Sequence, residues 1–243
     1  CVVLVDEYDK PMLDAMDTGL KTRVGDNEML IEDHNRETLK AFYSVFKLAD
    51  ADLRFVFLTG VTKFAQVSVF SGFNNARDIS MNPRFDAICG ITTEELNSVF
   101  APAIEELANA NAVSVAETKS QLKQRYDGYH FSKGMTDIYN PFSLLNTFKS
   151  EDARDYWFAS GTPSYLMRLL AHSKEDIQGI IARSYEAQEF VDYRATVEAP
   201  VPMIYQSGYL TIKGYNREDD EYKLDFPNHE VASGFLTLLA SGY

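Results

Sequence analysis

The sequence predicts an α/β protein whose first part is built on a parallel sheet. Two apolar runs, residues 2–5 and 53–58, have the length and composition of strands. Four apolar residues between them recur at helical spacing: Leu39, Phe42, Tyr43 and Phe46. They predict an amphipathic helix from about 35 to 49 whose aromatic face lies on the sheet. Strand, helix and strand in this order form a right-handed crossover, so we expect parallel strands that end at the same edge.

The first strand ends in an acidic pair. Residues 2–5 are uniformly apolar, which predicts burial on both faces, and Asp6 and Glu7 follow at once. Ligands of open α/β sheets lie at the carboxyl ends of the strands. In P-loop nucleotide hydrolases such a strand carries the Walker B acid, which holds Mg²⁺, and a second acid that deprotonates the attacking water. Asp6 and Glu7 fit these roles, but two solvated acids after a core strand explain the same residues equally well.

The second strand ends in a polar loop, Thr59-Gly60-Val61-Thr62-Lys63. Because the two strands are expected to be parallel, this loop is predicted to lie beside the acidic pair. Thr59, Thr62 and Lys63 are therefore candidates to contact a γ-phosphate or the attacking water. The alternative is a glycine-containing loop whose threonines bind backbone groups. The residues leave both interpretations open.

Less regular segments connect and follow these elements. Residues 10–27 are predicted to be a loop with at most a short helix near 11–16. Residues 66–75 are predicted to form a short helix or loop, and residues 76–80 a further strand.

The second half is predicted to be mainly helical and to end in a small antiparallel ribbon. Five residues with capping side chains mark helix starts: Thr92, Ser114, Asn140, Thr162 and Asn228. Residues 209–215 and 222–226 are strand-like runs joined by an acidic turn, which predicts a hairpin. Helices followed by such a ribbon are compatible with a winged-helix lid.

Composition limits the classes of function. The formal net charge of −13 opposes contact with nucleic acid over most of the surface, and Lys119, Lys123 and Arg125 are only a modest basic cluster. No apolar run is long enough to span a bilayer, and two cysteines form no disulfide framework, so we expect a cytoplasmic protein without membrane contact. The four histidines lack metal-ligand spacing.

Six blocks of the chain carry a family resemblance: 2–11, 57–73, 75–90, 126–142, 156–163 and 206–229. They resemble the AAA-ATPase-like family of bacterial P-loop proteins. The resemblance implies an AAA-like core in residues 1–90 and a helical, winged-helix-like lid in residues 91–243, with ATP and Mg²⁺ as cofactors. It also implies that Asp6 and Glu7 are the Walker B acids and that 59–63 is the strand-end sensing segment.

Two features of that family are not found in the sequence. Members usually have a glycine-rich phosphate-binding loop ending in Gly-Lys-Ser/Thr, and they usually carry a restriction-endonuclease-like nuclease domain at the carboxyl end. No Gly-x-x-x-x-Gly-Lys occurs in the 243 residues, and Cys1 stands directly before a strand. We therefore expect a fragment that starts at the Walker B strand and is inactive by itself. In the full-length protein it would bind ATP and control a nuclease-like domain in cis.

Two other functions are weighed against this interpretation. A nuclease or glycosidase could use Asp6, Glu7 and Asp9 as paired acids, but a restriction-type site needs a Glu-x-Lys alternation that residues 4–10 lack. The stronger alternative is a non-catalytic interaction module, in which the acidic pair binds no Mg²⁺ and the helical half binds a partner.

Overall fold

The computed structural model describes residues 1–16, 18–63, 77–157, 166, 170, 176–191 and 200–241. The strands are β1 (Val2–Val5), β2 (Lys21–Val24), β3 (Asn27–Leu30), β4 (Phe55–Leu58), β5 (Ile91–Thr92), β6 (Ile138–Tyr139), β7 (Ser184–Tyr185), β8 (Thr211–Asn216) and β9 (Glu221–Asp225). The helices are α1 (Lys10–Ala15), α2 (Ile31–Leu48), α3 (Thr93–Ser98), α4 (Ala101–Ala110), α5 (Val115–Tyr126), α6 (Pro141–Ser150), α7 (Ile177–Ala182), α8 (Ala187–Val191), α9 (Val201–Gln206) and α10 (His229–Ser241).

The predicted parallel pair of strands is confirmed. β1 and β4 run parallel, with Val2 opposite Phe55 and Val5 opposite Leu58. α2 lies between them in the chain and begins a few residues earlier than predicted. Its Tyr43 and Phe46 pack against one face of the pair, on which a further set of apolar side chains lies: Val3, Leu53, Val56 and Leu58. The crossover therefore brings the carboxyl ends of both strands to one edge.

The predicted burial of β1 on both faces is wrong. Val2 and Leu4 are 57% and 69% exposed, and Phe55 beside them is 54% exposed. Side chains alternate between the faces of a strand, and α2 covers only the face that contains Val3 and Val5. The opposite face of the β1–β4 pair is open at Val2, Leu4 and Phe55.

The segment predicted as a loop, residues 10–27, contains one short strand and ends at the first residue of another. The short helix near residues 11–16 is confirmed as α1, but the rest of the loop prediction is wrong because β2 and β3 form an antiparallel hairpin. Gly25 has a φ of +62° in the two-residue turn, a conformation that glycine adopts without steric cost. The strands are mostly exposed and polar, so they lack the apolar alternation by which strands are recognised.

The predicted strand at residues 76–80 is wrong for Arg77–Ser80, which form no strand. Asp78 accepts a hydrogen bond from the backbone N–H of Ser80 at 2.9 Å, so its side chain bends the chain there. The prediction for residues 66–75 lies outside the described residues.

Capping residues in the sequence correctly predicted four helix starts in the second half. Thr92 and Glu95 form a reciprocal capping box before α3, and Ser114 caps α5 by accepting from the Glu117 N–H at 3.1 Å. Asn140 and Asn228 cap α6 and α10 in the same way. The predicted hairpin is confirmed as β8 and β9, and β7 joins it to make a three-stranded antiparallel sheet. The start predicted at Thr162 lies outside the described residues.

The largest core joins α1 to the second half. Met12 of α1 and Met16 just after it are 1% and 6% exposed. They pack in one cluster with buried side chains from distant elements: Tyr185, Phe190, Ile204, Tyr209, Leu224 and Phe235. A smaller core lies among α3 to α6: Leu96, Ile104, Leu107, Leu122, Tyr126, Tyr139 and Leu144. Although α1 follows β1 directly, its apolar side chains thus belong to a core formed mainly by the second half.

Candidate functional site

The candidate site begins where β1 and β4 end side by side. The Thr59 N–H donates to the Val5 carbonyl at 2.8 Å, which extends the strand pairing past β4. The Thr59 hydroxyl then donates to Asp6 Oδ1 at 2.5 Å, and the Glu7 N–H donates to the same oxygen at 3.0 Å. Asp6 is exposed, and no hydrogen bond from the described residues occupies its Oδ2. The structure therefore holds the carboxylate in one orientation and leaves an oxygen free.

Glu7 lies at the outer end of this arrangement. Its side chain is exposed and accepts no hydrogen bond from the described part of the chain. Its φ is +51°, in the left-handed region that residues other than glycine seldom adopt. The turn is fixed by a hydrogen bond from the Lys10 N–H to the Glu7 carbonyl at 3.0 Å. Strained backbone of this kind is enriched at functional sites.

Sequence reasoning considered Asp9 only as an acid of the alternative nuclease or glycosidase site and missed its contact with the 59–63 loop. Asp9 is 1% exposed, and it accepts hydrogen bonds from the Val61 N–H at 3.2 Å, the Thr62 N–H at 2.5 Å and the Thr62 hydroxyl at 2.7 Å. Asp9 stands at the N-cap of α1, but its side chain makes no capping hydrogen bond to its own helix. An aspartate before Lys-Pro reads as an ordinary helix cap, so the sequence carried no signal for this contact.

Gly60 allows Asp9 to approach the loop. A Cβ built at this position would lie 2.6 Å from Asp9 Oδ1 and 2.7 Å from Tyr8 Cε1, which is closer than real contacts permit. The Tyr8 N–H donates to the Thr59 carbonyl at 2.9 Å, and the Tyr8 hydroxyl donates to the Thr62 carbonyl. The segment after β1 and the loop after β4 are therefore joined along their whole length.

Thr62 and Lys63 contact other acids than Asp6 and Glu7. Thr62 is 4% exposed, and its hydroxyl donates a hydrogen bond to Asp9. Lys63 Nζ forms an ion pair with Asp78 at 2.6 Å, and the Lys63 N–H donates to Gln206 Oε1 at 3.0 Å. Burial raises the pKa of Asp78, but hydrogen bonds from Lys63 and Ser80 outweigh it and hold that pKa well below its usual range. Both predicted phosphate contacts thus already have protein partners.

A cavity of about 600 Å³ lies between β4 and the second half. The loop at 59–63 forms one part of its wall, and Tyr129, Phe131 and Gln206 form another. The acidic pair does not line it. Of the five predicted site residues, Thr59 is the one that both lines this cavity and bonds to the acidic pair.

The donor set at Asp6 fits a weakly held Mg²⁺ and does not fit a metal held by protein alone. Mg²⁺ commonly binds through one or two carboxylates and keeps waters or substrate phosphates as its other ligands. Asp6 offers one free carboxylate oxygen. In the part of the chain that the structure describes, no cluster of three or more His, Cys, Asp or Glu side chains could hold a metal ion. Phosphate oxygens would therefore have to complete the coordination.

Two residues of the modest basic cluster, Lys123 and Arg125, form ion pairs with acids of the second half. Lys123 Nζ lies 3.2 Å from Asp137 and 3.6 Å from Asp127, and Arg125 lies 2.7 Å from Asp155. Within the described ranges, none of the helices has the length and apolar composition needed to traverse a bilayer.

The acidic pair and the loop both fall inside a segment that matches a known family. Residues 1–70 match the AAA-ATPase-like family, described as Predicted AAA-ATPase. The AAA-ATPase-like match covers β1, Asp6, Glu7, β4 and the 59–63 loop. This part of the chain is therefore similar to an AAA-ATPase-like module.

A longer bacterial relative aligns with the whole chain. It is described as "Uncharacterized protein in vnfD 5'region" from Azotobacter chroococcum mcd 1, and it is 36% identical over 247 residues. The alignment covers 100% of this chain and 43% of the relative, so the chain spans less than half of the relative's length. No solved structure matches the chain.

Proposed function

We propose that this chain supplies the acid side of a Mg·ATP site in an ATP-binding and ATP-hydrolysing regulatory module. The observation that carries the proposal is the contact between Thr59 and Asp6 across two parallel strand ends, with an unengaged Glu7 beside it. The AAA-ATPase-like match over residues 1–70 supports the same class.

The roles follow from the surroundings of each side chain. Asp6 would hold Mg²⁺ through its free oxygen, because Thr59 and the Glu7 N–H fix its other oxygen. When bound, Mg²⁺ would neutralise charge on the transferred phosphate. The Glu7 side chain is exposed and makes no hydrogen bond among the described residues, so it is the candidate to orient a water and accept its proton. Thr62 and Lys63 would act on phosphate only after leaving Asp9 and Asp78.

The wider organisation is also part of the proposal. A phosphate-binding loop of the Gly-Lys-Ser/Thr type would supply most of the phosphate contacts in the full-length protein. Residues 91–243 would act as a winged-helix-like lid, and the bound nucleotide would control an attached nuclease-like domain. The family resemblance is the support for these three statements.

One observation favours a second function, a non-catalytic interaction module. Val2, Leu4 and Phe55 form an exposed apolar strip on the β1–β4 pair, and exposed apolar surface of this kind marks interaction sites. In that case Asp6 and Glu7 would be solvated acids at the end of the sheet.

Asp6→Ala in the full-length protein separates the two functions. The proposal expects Mg²⁺-dependent ATP binding, measured by calorimetry with and without EDTA, to be lost in Asp6→Ala. Asp14→Ala is the matched control, because Asp14 is an exposed acid on α1 whose partner is Lys10. Equal Mg²⁺-dependent binding in wild type and Asp6→Ala would contradict the site and favour the interaction module.

A further inference from the structure

Asp9 has a buried carboxylate whose hydrogen bonds all come from another segment. Its carboxylate lies against the 59–63 loop, where it meets two backbone N–H groups and the Thr62 hydroxyl. Hydrogen bonds to a charged group contribute more than neutral ones, and a donor left unpaired in a buried site costs stability. The carboxylate therefore fixes the position of the loop relative to the end of β1.

The same residue begins the helix that enters the largest core. The Asp9 carbonyl accepts hydrogen bonds from the N–H groups of Met12 at 2.9 Å and Leu13 at 3.0 Å, which form the first turn of α1. Met12 is 1% exposed in the core that contains Tyr209 and Phe235. A movement of Asp9 would therefore be transmitted to α1 and to this core.

A second connection leads from the loop to the same core. The Lys63 N–H donates to Gln206 Oε1 at 3.0 Å, and Gln206 Nε2 donates to the carbonyls of Phe190 and Val191 at 3.3 and 3.1 Å. Gln206 is the last residue of α9, which contributes Met203 and Ile204 to the core. The loop is thus held to the second half at one end by Asp9 and α1, and at the other by Gln206.

We propose that Asp9 is the positioning residue of the site: it sets the distance between Thr59 and Asp6 and couples the 59–63 loop to the core of the second half. Its effect on nucleotide rests on the proposed function, whereas its effect on the loop and on α9 does not. Asp9 acts through Thr62 and Thr59 and contacts no reacting atom.

The first experiment needs no nucleotide. Amide hydrogen exchange within residues 1–243 of the full-length protein is compared for wild type, Asp9→Asn and Asp14→Asn, which makes the same chemical change at an exposed position of α1. We expect Asp9→Asn to speed exchange about tenfold or more in residues 59–63 and also in α9, and Asp14→Asn to leave both unchanged. Faster exchange in the loop without a change in α9 would overturn the coupling, and no change in either would overturn the whole proposal.

The second experiment tests positioning in the full-length protein. Asp9→Asn and Thr62→Val should raise the Mg²⁺ concentration for half-maximal ATP binding about tenfold, because Asp6 loses its fixed neighbour. Thr62→Ser keeps the hydroxyl and should restore the wild-type value. Ile104→Val is a destabilising change in the smaller core, which contains no residue of the site, and should leave the Mg²⁺ requirement unchanged.

The outcomes distinguish the two proposals. An unchanged Mg²⁺ requirement in Asp9→Asn, or an equal shift in Ile104→Val, would overturn the positioning role. Absence of Mg²⁺-dependent ATP binding in wild type would contradict the proposed function instead. The hydrogen-exchange experiment alone would then test the role of Asp9.

Discussion

The end of β1 and the start of α10 both present a carboxylate to backbone N–H groups, but the surroundings are opposite. Asp6 is exposed, and its two hydrogen bonds fall on one oxygen. Glu230 is 0% exposed. It accepts hydrogen bonds from the Ser143 hydroxyl at 2.8 Å and from the N–H groups of Tyr156 and Trp157 at 2.6 and 2.9 Å. The buried acid uses its hydrogen-bonding capacity to join parts of the fold, and the exposed acid keeps capacity for a ligand.

The buried position has an electrostatic cost. Burial raises the pKa of Glu230, while hydrogen bonds from Trp157, Ser143 and Tyr156 lower it and offset part of the cost. The carboxylate connects α6, the segment before residue 158 and α10, which are far apart in sequence. The comparison therefore predicts that acids such as Glu230 affect folding, whereas Asp6 and Glu7 affect binding and turnover.

The largest expected effect is on stability, at Glu230. Glu230→Ala removes a buried acceptor from the Ser143 hydroxyl and from two half-buried backbone N–H groups, and we expect the free energy of unfolding to fall by about 4 kcal/mol. Urea unfolding followed by the fluorescence of Trp157 measures this change. Glu105→Ala removes an exposed glutamate on α4 and should change stability by less than about 0.5 kcal/mol. Equal losses of stability in the two variants would contradict the structural role of Glu230.

The next effect is on turnover, at Glu7. In the full-length protein, Glu7→Gln should slow ATP hydrolysis by about two orders of magnitude or more, because the amide cannot accept a proton, while ATP binding is retained. Its free energy of unfolding should stay within about 0.5 kcal/mol of wild type, because the Glu7 side chain is exposed. Steady-state phosphate release measures the rate, with Glu28→Gln on the exposed hairpin as control. Retained turnover would exclude Glu7 as the base.

The smallest effect concerns a buried acid that lacks hydrogen bonds. Asp127 is 2% exposed, and neither of its carboxylate oxygens has a hydrogen-bond partner among the described residues, although Lys123 Nζ lies 3.6 Å away. Burial raises the pKa of Asp127. The folded state therefore binds its proton more tightly than the unfolded state, and this contribution to stability is lost as pH rises through the folded pKa.

Asp127→Asn should therefore stabilise the protein by about 1 kcal/mol at pH 7, and the gain should vanish below about pH 4. Urea midpoints measured across this pH range test the prediction. Asp137 is the control of opposite sign: burial raises its pKa, but hydrogen bonds from His130 and Lys123 dominate and lower it. Asp137→Asn should destabilise at pH 7 and lose its effect as pH falls. The same sign in both variants would contradict this explanation.

The sequence was sufficient where structure depends on local pattern. The pairing of β1 with β4 followed from two apolar runs and one helical period, and the position of the 59–63 loop beside the acidic pair followed from the parallel crossover. The caps at Thr92 and Asn140 depend on residues three positions away, so they too could be read from the chain.

The remaining features depend on partners that are distant in sequence. Asp9 and Thr62 are 53 positions apart, and no local pattern distinguishes this buried aspartate from a helix cap. The exposure of Val2 and Leu4 depends on which elements cover the second face of the sheet. The composition of the strand itself does not indicate this. The hairpin of β2 and β3 is nearly all exposed, so its sequence has no alternation of apolar and polar residues from which strands could be predicted.

The absence of a side chain at Gly60 has a consequence for how this chain can vary in evolution. Because any β-carbon there would collide with the carboxylate of Asp9 and the ring of Tyr8, the three positions form one steric unit. Among natural homologues, a larger residue at position 60 should occur only together with smaller residues at positions 8 and 9. A randomised library at position 60 alone should return glycine, and a library that also varies positions 8 and 9 should return compensated combinations.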